Sequence, residues 1–116
     1  MVRIKRVYAP PAPDDGLRVL VDRLWPRGLT KEAAAVDLWL KELGPSTELR
    51  KWFGHDPARW EAFTARYREE LESAERKAAL ARLRGLSDEH GGLTLLFGAK
   101  EEAYNHAVLL AELLNG

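Results

Sequence analysis

Apolar residues cluster in this chain rather than spreading evenly. Two runs, Leu17-Arg18-Val19-Leu20-Val21-Asp22 and Leu93-Thr94-Leu95-Leu96-Phe97, are nearly continuous and too short for helices. Bounded by turn residues and rich in Val and Leu, they predict strands buried on both faces. Val2, Ile4, Val7 and Tyr8 make a further β-like run, which ends at Ala9-Pro10-Pro11-Ala12-Pro13. Three prolines cannot extend a ladder, so that segment is a loop of part polyproline character. Asp14-Asp15-Gly16 is a turn signal before the first buried strand, and Pro26 and Gly28 end that strand. Val36–Lys41 suits helix or strand. A short strand is preferred, because the loop before Pro45 then leads into the next helix.

The helical signals follow a different period. Thr30 suits the N-cap of a short helix over Lys31–Ala35, and Ser46 caps Thr47–Phe53 with Glu48 in the first turn. Gly54 can close that helix in a left-handed conformation. Asp56-Pro57 places a capping side chain before a proline at the first helical position. Trp60, Phe63, Tyr67 and Leu71 then recur at steps of three or four, which is an amphipathic face. Ser73 starts another helix with Ala79, Leu80, Leu83 and Leu86 inward and Gly91-Gly92 as terminator. A last helix is expected from about Glu101 to Leu114, burying Ala103, Ala107, Leu110 and Leu114. Strand, helices, strand and helix in this order predict one α/β domain over residues 1–116, with a small, largely parallel β-sheet flanked by helices.

Composition narrows the class. A chain of 116 residues, 46% hydrophobic and 31% charged, can build one core and stay soluble. Lys+Arg and Asp+Glu balance at 18 each, so no global field draws in nucleic acid, which is disfavoured as a partner. The balance hides an asymmetry. Residues 1–28 are basic through Arg3, Lys5, Arg6, Arg18, Arg23 and Arg27, opposed there only by Asp14, Asp15 and Asp22. There is no cysteine, which removes thiolate nucleophiles, Cys-ligated zinc and iron–sulfur clusters. No apolar run approaches the roughly 20 residues of a membrane span. The first residues alternate charged and apolar, unlike a signal peptide, so a cytoplasmic location is expected. The absence of Gln and Cys beside many Arg and Glu is thermophile-like.

In open parallel sheets, ligands bind beyond the carboxyl ends of the strands. Two such ends are polar here: Asp22-Arg23-Leu24-Trp25-Pro26-Arg27-Gly28, and Gly98-Ala99-Lys100 leading to Tyr104, Asn105 and His106. Arg23 and Arg27 carry guanidinium forks suited to phosphate or carboxylate, and Asp22 can orient one of them. Gly98 permits close backbone approach, Lys100 adds a point charge, and the following helix offers free N–H groups. The same arginines equally suit structural ion pairs with acidic helices. Trp25 reads as a packing residue, His90 as a helix end, and His55 as a loop residue able to face the same cleft. His106 is either an acid/base group or a satisfied polar contact. The spacing lacks the G-x-x-x-x-G-K-[ST] of a phosphate-binding loop. No metal motif joins the three histidines, although a spatial site from His55, His106 and a carboxylate stays open. Ser46, His106 and Asp22 supply the residue types of a hydrolase triad without a nucleophile elbow. No cofactor is implied.

These blocks together resemble a known family. Val19-Leu20-Val21-Asp22-Arg23-Leu24-Trp25-Pro26-Arg27-Gly28 is similar to its N-terminal signature. Trp39-Leu40-Lys41-Glu42, Pro45-Ser46 and Leu49-Arg50-Lys51-Trp52-Phe53-Gly54-His55-Asp56-Pro57 resemble its middle block. Phe63, Tyr67 and Glu70-Leu71, then Thr94-Leu95-Leu96-Phe97, Ala99-Lys100 and Asn105-His106-Ala107, complete the likeness. The family is domain-of-unknown-function family 488, in its short YeaO-like branch, and the resemblance covers nearly the whole chain. It implies an α/β fold and a bacterial or archaeal cytoplasm, and brings no established activity. Longer members place Cys before His where this chain has Asn105-His106, so thiol chemistry does not transfer; Asn keeps its hydrogen-bonding capacity.

The leading expectation is therefore a small anion-binding domain for a phosphorylated or otherwise acidic small molecule. Arg23, Arg27, Lys100 and Gly98 would hold the anion, with His106 and Asn105 as the groups able to do chemistry. Asp22, Trp25, Ser46 and His55 would support them. A non-catalytic interaction module or homodimer using Trp25, Trp39, Trp52 and Trp60 is the alternative. Nucleic-acid binding stands third.

Overall fold

The computed structural model describes residues 1–116. Strands β1 (Val2–Arg6), β2 (Leu17–Leu20), β3 (Leu38–Trp39) and β4 (Leu93–Phe97) form one sheet in the order β1-β4-β2-β3. Every neighbouring pair is parallel. The last strand in sequence is thus inserted between the first two, and all of its residues are buried. The helices are α1 (Lys31–Ala34), α2 (Thr47–Phe53), α3 (Trp60–Glu70), α4 (Ala74–His90) and α5 (His106–Asn115). The expected α/β class holds, and the short strand expected within Val36–Lys41 is β3. No helix is long and apolar enough to cross a membrane.

The register decides which residues meet which layer. Val2 and Leu17 both align with Leu93, and Ile4 and Val19 with Leu95. These side chains share one face with Phe97 and pack on Phe53, Phe63, Tyr67, Leu83, Leu109 and Leu110 from the helices. Alternate residues point the other way, as the pleat requires. On that second face Leu20, Leu96 and Val7 meet Ala34 of α1, with Trp25, Leu29, Val36 and Trp39 around them. The helices are therefore unevenly divided. Four cover one face, and α1 with its flanking loops covers the other.

The amino-terminal end of the second face is polar although buried. Arg18 is 5% exposed and Asp15 7%. Arg18 Nη1 is bonded to Asp15 Oδ2, and its Nε and Nη2 donate to the carbonyls of Ala35 and Ala34 at 3.0 and 2.9 Å. Lys5 Nζ donates to the other Asp15 oxygen at 3.0 Å, and Thr94 Oγ1 to the Asp15 carbonyl at 2.6 Å. Nearly every polar atom of the cluster has a partner, which is the condition for burying charge at tolerable free energy. Burial alone would raise the Asp15 carboxyl. The hydrogen bonds from the Ala12 N–H, Lys5 and Arg18 outweigh it and hold the group below its ordinary 3.8.

Helix ends follow the expected caps in most places. Ser46 and Ser73 accept N–H groups from Leu49 and Arg76, and Thr30 accepts from Ala33. Asp56 caps a 3₁₀ turn, Pro57–Arg59, which precedes α3. The last helix differs from expectation and starts at His106, not Glu101. The Glu101 carboxylate accepts the N–H groups of Ala103 and Tyr104, which turns the chain there, and Ala103 is exposed rather than buried. After Gly54 closes α2, His55 also has positive φ, at 55°. Left-handed backbone at a non-glycine residue stores about 1 kcal/mol or more.

Two outcomes follow from this framework. Asp15→Asn leaves buried Arg18 and Lys5 without their counter-charge and lowers unfolding free energy by about 3 kcal/mol in urea titrations. Because the folded carboxyl lies below its unfolded value, the wild-type contribution is complete above pH 3.8 and is lost as pH falls through the folded value. In the same assay, His55→Gly is more stable than His55→Ala by about 1 kcal/mol, since only glycine relieves the backbone strain.

Candidate functional site

β2 and β4 are parallel neighbours, so their carboxyl ends open on the same edge of the sheet. Asp22, just beyond β2, joins them. Its Oδ2 accepts the Gly98 N–H at 2.8 Å, immediately after β4. A Cβ on Gly98 would stand 3.0 Å from that oxygen, so any side chain there would have to displace the carboxylate slightly. Asp22 Oδ1 lies 3.3 Å from Nε2 of His106, the first residue of α5. The Val21 carbonyl oxygen lies 3.0 Å from the same Nε2. Two acceptors facing Nε2 require its proton there, so a neutral ring keeps Nδ1 bare.

His106 is held in that neutral form. Burial lowers its pKa below the ordinary 6.5; the Asp22 carboxylate and the Val21 carbonyl oppose the change, and His55 adds to it. The Tyr67 ring stands edge-on to the imidazole, with centroids 5.9 Å apart. Its hydroxyl donates to the Leu43 carbonyl, and burial pushes its ionisation well above 10. Stacking runs on from Tyr67 through Phe63 to Phe53, so the imidazole rests on one end of an aromatic row.

Beside this row lies a cavity of about 230 Å³. Its polar wall comprises Asp22, Arg23, Arg50, His55, Gly98 and His106. Phe53, Phe63, Leu24, Pro45 and Ala99 supply the apolar wall. Arg23 donates from Nε and Nη2 to the carbonyls of Pro45 and Gly44, at 3.2 and 3.0 Å, and so fastens the loop before α2 to the end of β2. The backbones also approach closely: a Cβ on Gly44 would come within 2.5 Å of the Arg23 backbone nitrogen. Nη1 of Arg23 keeps no partner, and the Arg50 side chain makes neither hydrogen bond nor ion pair.

The structure thus brings Asp22, Arg23, His55, Gly98 and His106 to one cavity and leaves the other expected residues outside it. Arg27 and Lys100 are exposed beyond the cavity; the Arg27 carbonyl accepts the Tyr8 hydroxyl at 2.9 Å. Trp25 donates to the Leu29 carbonyl at 2.7 Å and meets Trp39 edge-on. Ser46 is a cap, with its Oγ 2.5 Å from Glu70 Oε2, and cannot serve a triad with His106. Asn105 is also a cap. Its Oδ1 accepts the N–H groups of Ala107 and Val108, and its Nδ2 donates to the Glu101 carbonyl at 2.8 Å. No three His, Asp or Glu side chains gather closely enough to hold a metal ion. All four tryptophans are part-buried, so none forms an exposed pair.

Arg50 is the residue that sequence reasoning does not select. It stands three positions before Phe53 on α2, and both reach the cavity, but only the tertiary arrangement brings that flank to the strand ends.

Comparison with known proteins agrees with the sequence resemblance. The family model described as "Inactive DUF488-N3 subclade" matches residues 1–116. An uncharacterised protein of Mycobacterium tuberculosis is 47% identical over 115 residues, which are 99% of this chain and 94% of the relative. The uncharacterised protein YeaO of Escherichia coli is 44% identical over 113 residues, 97% of this chain and 96% of the relative. No solved structure matches the chain. With whole-length matches of both kinds, the chain belongs to the DUF488 family, in the subclade described as inactive.

Proposed function

We propose that this protein binds a small anion at the carboxyl ends of β2 and β4 without transforming it. The observation that carries the reading is a charge imbalance in one cavity. Arg23 and Arg50 line it, while the sole carboxylate among the lining residues, Asp22, is already engaged by Gly98 and His106. An uncommitted guanidinium beside a water-excluding aromatic wall is a ready acceptor of carboxylate, sulfate or phosphate. Binding without covalent catalysis is supported by what the wall lacks. No Ser, Thr, Lys, Tyr or Cys lines the cavity, and the nearby Ser46 and Asn105 are occupied as caps. The subclade's description as inactive points the same way.

Arg50→Ala tests the reading with little risk to the fold, since the side chain is exposed and unpaired. In calorimetric titrations with sulfate, phosphate and acetate, the variant is expected to bind at least about tenfold more weakly, equal to about 1.4 kcal/mol. Equal affinities for the two proteins, or no binding of these ions by the wild type, would overturn it.

His106 supplies a second readout. It is faced by Asp22 and Arg23 from the end of β2, His55 and Arg50 from the α2 region, and Tyr67 from α3. An anion in the cavity favours the imidazolium, so the ring's pKa, below 6.5 when free, rises on binding. Protons are taken up between the free and bound values, and affinity for sulfate increases as pH falls through that interval. Imidazole chemical-shift titrations with and without sulfate check this; unchanged curves count against an anion at this site.

A further inference from the structure

Resting on the anion-binding reading, the cavity also specifies the body of the ligand. We infer that it takes a singly charged organic acid whose carboxylate is carried on a compact apolar group about the size of one ring. Volume sets the first bound. A cavity of about 230 Å³ exceeds the roughly 150 Å³ that accommodates benzene and falls short of the roughly 300–1,000 Å³ of drug-sized ligand sites. One ring and its acid group fit that volume.

Charge sets the second. Two guanidiniums against one carboxylate leave one net positive charge when the imidazoles are neutral, which matches a monoanion. The walls set the third. Phe53, Phe63 and Pro45 line the cavity with carbon, and Leu24, which also lines it, is 59% exposed. Of the large exposed hydrophobic residues, Met1, Tyr8 and Leu24, only Leu24 borders this cavity. An inorganic anion would surrender hydration against these carbons and gain nothing from them. An apolar body would cover Leu24 while the carboxylate meets Arg50 and Arg23 Nη1.

Affinities of acetate, benzoate and inorganic phosphate for the wild type, Leu24→Ser and Arg50→Ala proteins test the inference. Benzoate is expected to bind at least about tenfold more tightly than acetate. Leu24→Ser should reduce that advantage to about threefold or less, while Arg50→Ala weakens both acids. Circular dichroism verifies that each variant is folded. Benzoate binding no better than acetate, or phosphate binding better than benzoate, would overturn the apolar-acid assignment and leave the anion site standing. Benzoate binding that Leu24→Ser weakens and Arg50→Ala does not would instead overturn the anion site itself, as would failure of all three ions to bind.

Discussion

The bond from the Gly98 N–H to Asp22 fixes the relation on which the site depends. Parallel pairing brings β2 and β4 side by side, but their ladder ends before the chains diverge. Asp22 carries the connection one step further and, through His106, couples both strand ends to the start of α5. Arg23, the next residue, fastens the loop before α2. Three segments far apart in sequence are therefore held by two consecutive side chains. The cavity is the space left between them, with Phe53 and Phe63 as its apolar boundary.

The two ends of the sheet solve the problem of buried polarity in different ways. At the amino-terminal end, Asp15, Arg18, Lys5 and Thr94 are mutually bonded, and Arg18 also holds the backbone of α1. That saturation makes the cluster a fastening for the loop-covered face. At the carboxyl-terminal end, Arg50 and one nitrogen of Arg23 remain uncommitted. Arginine is abundant at both ends, and partner count, not charge, separates the two clusters.

Much of the architecture was legible because it rests on local physics. Continuous apolar runs marked β2 and β4, and Ser46 and Ser73 marked helix starts by side chains that bond nearby N–H groups. Asp22, Arg23, Gly98 and His106 could be assigned to one edge because strand polarity determines where loops emerge, whereas His55, in the loop after α2, was read only as able to face it. Arg27 and Lys100 were not separable from them by sequence, since the direction a loop takes after a strand depends on tertiary contacts such as Tyr8 to the Arg27 carbonyl. Arg50 needed the docking of α2 against the strand ends. Asn105 is a different case. An Asn directly before His106-Ala107-Val108-Leu109-Leu110 is itself an N-cap signal, hidden when the helix is begun at Glu101.

The occupation of Asn105 constrains how this scaffold can change. Its amide satisfies two N–H groups at the head of α5 and one carbonyl of the preceding bend. A thiol at the same position would lie at a helix N-terminus, where thiolates are favoured, but would replace the strong oxygen acceptor with a weak sulfur one and lose the amide donor. The loosened turn would be the one that sets His106 against Asp22. Gaining a nucleophile there and keeping the histidine in place are opposed requirements, so a reactive descendant of this chain would need a new anchor for α5 together with its new side chain.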